Sequence, residues 1–184
     1  MNKIEKWSDV EEAVAGDFPK LKVGPLVCVI TDVVNVPDRE YLEVDYDIDE
    51  GENKGYYAKA SQGRWRGFII RSYKDSSLPY FKGFITSVEK SNASYKWDWD
   101  EKKLIGKKIV VNFREEEYVN KDGEVKTIVK GFEFRSTESL KQGKVKTHDK
   151  LWTLEDQHKE RPHTEPTITD AATGEEISDD DLPF

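Results

Sequence analysis

Hydrophobic and polar positions alternate most clearly at residues 41–49, where Leu42, Val44, Tyr46 and Ile48 fall on one face and Glu43, Asp45, Asp47 and Asp49 on the other. A period of two predicts a half-buried strand. The run before it, LVCVITDVV at residues 26–34, is apolar and β-branched and predicts another, with Val36-Pro37-Asp38-Arg39-Glu40 as the hairpin turn between them. Residues 56–73 predict one strand or two, with Trp65–Arg71 as the core of the segment. Leu78, Phe81, Ile85 and Val88 then fall near helical spacing, after caps at Ser76 or Ser77 and with Pro79 in the first turn, so a helix is predicted over residues 78–91. KKIVVNFREEEYV and EVKTIVKGFEFRS predict two last strands, joined by the hairpin turn Asn120-Lys121-Asp122-Gly123. Ser8 with Glu11 three residues on predicts a short helix near the start, ending by Gly16 or Pro19.

Three strands, a helix and two strands make a mainly β chain with the element order of an OB-fold, a five-stranded Greek-key barrel with a helix between strands 3 and 4. The expected organisation is an N-terminal helical extension over residues 1–20, an OB-like domain over 21–147 and a tail over 148–184. In the tail periodicity vanishes, and Pro162, Pro166, Gly174 and many acids predict disorder.

Charge sharpens this division. The net charge of −8 belongs to residues 153–184, which hold ten acids and two bases; residues 1–152 are neutral. Within that neutral body, residues 54–108 carry 13 Lys or Arg against five acids, together with 11 of the 21 aromatics. A basic, aromatic middle inside an acidic protein is the main anomaly. Apolar residues are only 36% of the chain, and no apolar run approaches the roughly 18 residues that span a bilayer. The first residues lack the apolar stretch of a signal peptide, so a soluble, cytoplasmic protein is expected. The single cysteine, Cys28, excludes an intramolecular disulfide framework and a multi-cysteine zinc site.

The middle suits single-stranded nucleic acid, because bases stack on rings and cations meet the backbone. The candidate contacts are Arg64, Trp65 and Arg66, then Tyr95, Trp97 and Trp99, which would project to one side of an extended chain, with Lys96, Lys102, Lys103 and Lys107 around them. Phe68, Phe81 and Phe84 are expected in the core. The acids of the alternating strand are read as charge that protects an edge, in preference to a cation site. No phosphate loop, nucleophile–base pair, cofactor motif or preorganised histidine cluster stands out, so the chain is expected to be no enzyme and to need no cofactor. The last residues, Asp179, Asp180, Asp181, Leu182, Pro183 and Phe184, read as a docking peptide, with an apolar tip for a pocket and acids for a basic rim.

That tip resembles the C-terminal tip of bacterial single-stranded DNA-binding proteins, which follows a disordered linker and recruits replication, recombination and repair enzymes. Leu182 stands where isoleucine is usual. The body is similar to a group of phage-encoded proteins with predicted single-strand binding roles. That similarity runs through Gly24-Pro25, LEVDYDI, Leu104-Ile105-Gly106-Lys107-Lys108 and the following hairpin, over about residues 20–137. The resemblance implies an OB-like fold and ssDNA binding in phage or prophage replication or recombination, inside a bacterial host cell. The expected partners are ssDNA and replication or recombination proteins, with no membrane; homo-oligomer formation stays open. An adaptor that binds only proteins is the alternative, and a nuclease using Asp45, Asp47 or Asp49 a third.

Overall fold

The computed structural model describes residues 21–61 and 66–160. The predicted N-terminal helix at Ser8, residues Arg64 and Trp65, and the docking peptide 179–184 lie outside the described residues. By internal contacts the chain divides into a body, Met1–Trp152, and a second unit, Thr153–Phe184.

The body is built on five antiparallel strands: β1 (Gly24–Val36), β2 (Tyr41–Ile48), β3 (Gly67–Ser72), β4 (Lys108–Val119) and β5 (Val125–Arg135). They form one sheet in the order β3-β2-β1-β4-β5. The alternation in β2 is realised as predicted, with Leu42, Val44, Tyr46 and Ile48 all buried. In β1 the register slips between Ile30 and Asp32, and this bulge returns Val33 to the inner face after Cys28 and Ile30. Helix α2 (Leu78–Ser91) forms over the predicted residues, and its stripe of Phe81, Phe84, Ile85 and Val88 joins the core with the inner faces of the strands.

Two expectations for the architecture of the body are corrected. The predicted barrel does not close: the structure is an open sheet in which β3 and β5 are the two edges. Side chains bridge the gap instead of a backbone ladder, with the Arg71 guanidinium of β3 lying 4.7 Å from the centre of the Phe134 ring of β5. The segment Tyr56–Ser61, expected to be extended, is helix α1. Its cause is Asp47, a buried residue that the alternation had placed outside. The carboxylate accepts from Tyr57 N and Ala58 N, each at 3.0 Å, and so supplies the acceptors that the first turn of a helix lacks.

Strand β4 is buried on both faces where it crosses the sheet. Val110 and Asn112 point away from the main core, and Asn112 Nδ2 donates to Lys146 O at 2.9 Å. This outer cover comes from helix α3 (Thr137–Lys141) and the chain after it. Residues 148–152 run beside the hairpin, with Trp152 N donating to Glu115 O and Glu117 N to Trp152 O. Arg114 is held between the Phe132 and Trp152 rings, 4.4 and 4.1 Å from their centres.

In the second unit, helix α4 (Leu154–Glu160) forms where irregular chain was expected. Thr153 Oγ1 accepts from Asp156 N, Glu155 and Asp156 fill the first turn, and Lys159 pairs with Glu155 one turn away at 2.7 Å. Among the described residues no helix is long and apolar enough to cross a membrane.

Candidate nucleic-acid interface

Residues 92–107 connect α2 to β4 and are pinned at both ends. Asn92 closes the helix and staples it to the next strand: its Nδ2 donates to Val88 O and Lys108 O, and its Oδ1 accepts from Lys108 N. Trp97 N donates to Glu89 Oε1 at 3.0 Å, and Gly106 N to Ile30 O at 2.8 Å. Asp100 caps a short 3-10 turn at Glu101–Leu104, whose Leu104 is fully buried.

On this fixed scaffold the three predicted rings do not project to one side. Tyr95 is 7% exposed and packs in the core, and Trp97 is half-buried against it. Trp99 is 81% exposed and sits at φ 69°, a left-handed conformation that a bulky side chain seldom adopts. That backbone turn swings its ring outward. Trp99 thus ends a series of edge-on and tilted rings that runs through the buried Phe81: Tyr73 to Phe81 at 5.9 Å, Phe81 to Trp97 at 6.3 Å, Trp97 to Trp99 at 6.1 Å. Two polar atoms in the same segment, Tyr95 Oη and Trp97 Nε1, are buried without a hydrogen-bond partner.

The lysines of the segment are partnered. Lys103 pairs with Asp98 and, at 3.7 Å, with Asp100. The hydrogen bond between them holds the Asp98 carboxyl below the usual carboxylate range and raises the Lys103 ammonium. Lys102 donates to Val33 O and lies 3.7 Å from Asp32, Lys96 lies 3.7 Å from Glu89, and the Lys107 ammonium sits 5.0 Å from the centre of the Tyr95 ring. Arg66 lies on the outer face of β2 and β3, where its partner Asp45 is the cross-strand partner of Asp32, the acid beside Lys102. It binds Glu43 and Asp45 there and covers Phe68, which is 37% exposed and not core as expected. Phe81 and Phe84 are core.

The sequence therefore overstated the free positive charge. Part of its +8 over residues 54–108 is answered across the sheet by carboxylates that lie far away in the chain: Asp32 of β1, Glu43 and Asp45 of β2 as above, and Asp49 just after β2, which Lys108 holds at 2.8 Å. These acids thereby acquire structural roles. Strand β2 is internal, so its charges protect no edge. Among the described residues no group of three His, Cys, Asp or Glu is placed to hold a metal ion.

No protein-family model matches the chain, and no curated protein is similar to it. The functional reading rests on the residues themselves.

The ion pairs of this segment join lysines whose side chains are half or more exposed, so each stabilises the fold little and costs little to exchange for another anion. A flat ring standing in solvent and backed by two more rings can stack a base, and the exposed lysines of the same segment can meet a backbone. Sequence reasoning found these residues by composition. It could not single out Trp99, because the left-handed turn that exposes the ring leaves no local signature. It also missed a cleft beside α2, for which the one sequence sign is a glycine, Gly83, inside a helix.

Proposed function

We propose that the chain is a single-stranded DNA-binding protein of phage or prophage replication or recombination, acting in the bacterial cytoplasm without catalytic activity. In this reading the open sheet is an OB-like barrel left unclosed between its edges. Trp99 stacks on bases, Trp97 supports it from beneath, and Lys96, Lys102, Lys103 and Lys107 exchange their present partners for phosphates. Residues 179–184 dock replication or recombination enzymes; that part rests on the sequence resemblance alone. The observation that carries the reading is Trp99, 81% exposed in a left-handed turn.

One observation favours the rival reading of a protein-binding adaptor: several of the body's cations, Arg66, Lys103 and Lys108 among them, already have carboxylate partners. The two are separated by titrating labelled oligo-dT at two salt concentrations. The ssDNA reading expects binding with a log–log salt slope of about −0.7 per phosphate contact. An absence of binding at low salt would leave the adaptor in front.

A further inference from the structure

A groove of about 460 Å³ opens between α2 and the β5 edge, where Arg71 reaches in from β3. Small-molecule sites commonly enclose roughly 300–1,000 Å³, so the space is sufficient for a ligand. Its walls are aromatic. Phe84, Phe132 and Phe134 line it, and Tyr80, 78% exposed on α2, stands beside them.

Two guanidinium groups enter the groove, Arg71 and Arg135, against one carboxylate, Glu133, which Arg135 already engages. Arg71 faces inward from β3, stacked on Phe134, and its Nη1 donates to Ile70 O at 3.0 Å. No carboxylate among the described residues hydrogen-bonds to it, and Glu133 acts on it only through space. Burial pulls the guanidinium down to about 10 from its ordinary value. A half-buried guanidinium without a bound carboxylate has donors left for an anion. The neighbouring rings say which kind, since a planar aromatic next to a phosphate is the chemistry of a nucleotide.

We propose that this groove takes one nucleotide of a bound single strand, its base against Tyr80 and its phosphate on Arg71 and Arg135. The proposal deepens the ssDNA reading and rests on it. The groove and Trp99 are ends of one ring series, which continues from Phe81 to Phe84 at 6.4 Å and from Phe84 to Phe134 at 4.9 Å. The strand would thus meet aromatic surface at two places, Trp99 and the groove.

Gly83 offers a clean test. It lines the groove, and a Cβ built there meets nothing within 4 Å, so Gly83→Leu fills the space without removing a contact and favours the helix. Tyr80→Ala removes an exposed ring and serves as the second variant. Each is measured in the full chain by anisotropy of labelled oligo-dT, with tryptophan quenching followed alongside. Both variants are expected to weaken oligo-dT binding fivefold or more, while quenching at saturation persists because Trp99 is intact. Wild-type affinity in both variants would overturn the groove and leave the ssDNA reading standing. Failure of the wild-type protein to bind oligo-dT at low salt would overturn both.

Discussion

The hydroxyl of Tyr46, on β2, fills the space in which a side chain at Gly131, on β5, would begin. Tyr46 reaches there from the inner face of the sheet, with its ring edge-on to Phe113 at 6.0 Å and to Phe134 at 6.1 Å. At its other end Gly67, its direct partner in β3, leaves the same ring room. One tyrosine thus ties both open edges to the middle of the sheet, in place of the ladder that a closed barrel would have.

Gly131→Ala is therefore expected to destabilise the body by about 1–3 kcal/mol, the usual cost of overpacking a tight core. A Cβ there would stand 2.6 Å from Val111 Cγ1 and closer still to Tyr46 Oη. Tyr46→Phe in the same chain should recover part of the loss, so the two substitutions are non-additive. Urea denaturation of the single and double variants checks this, and simple additivity would show that the two residues do not compete for one space.

Asp47 holds α1 through two backbone hydrogen bonds. Asp47→Ala should cost about 1–2 kcal/mol, as loss of a helix cap does. Amide exchange should accelerate at Tyr57 and Ala58 before it does in the strands. Uniform acceleration would mean that Asp47 supports the whole sheet and not one helix.

The buried Tyr95 phenol gives a pH signature. Burial, with smaller contributions from Asp98, Glu89 and Asp100, pushes it up to about 12, whereas an unfolded tyrosine titrates near 10. The folded state holds the proton more tightly, so this group's share of stability is intact below pH ~10 and lost as pH rises through ~12. Tyr95→Phe removes that dependence together with a hydroxyl that has no partner. The variant should be at least as stable as wild type at pH 7 and should lose stability less steeply between pH 10 and 12. Thermal melts across that range decide it; a clear loss at pH 7 would mean that the hydroxyl is bonded.

These sites mark how far the sequence was legible. Where side chains answer to neighbours in the chain, the pattern sufficed. The alternation of β2, the apolar stripe of α2 and the Asn120–Gly123 turn predicted their elements. Where a residue answers to a distant partner, the pattern misled. Asp47 looks like any outward acid of an alternating strand until Tyr57 N and Ala58 N meet it. Arg66 looks like a free cation until β2 supplies Glu43 and Asp45. The open seam was illegible for the same reason, since the space at Gly67 and Gly131 matters only once Tyr46 lies between them.

Electrostatics gives a further expectation. Residues 153–184 carry −8 while residues 1–152 are neutral, so the full chain repels a polyanion that the body alone would not. Removing residues 153–184 should tighten oligo-dT binding at low salt, with the gain fading as salt shortens the Debye length below about 10 Å. Equal affinity of the two proteins at every salt concentration would show that the acidic segment has no part in strand binding.

Under the proposed function Trp99 stacks on single-stranded DNA, and comparing oligo-dT binding by the wild-type chain and Trp99→Ala tests this. The ring is 81% exposed, so its loss should leave the melting temperature nearly unchanged. Stacking is worth about 1–3 kcal/mol per base, so affinity should fall roughly 5- to 150-fold, and most of the tryptophan quenching should disappear with it. Undiminished affinity and quenching in Trp99→Ala would contradict stacking by this ring.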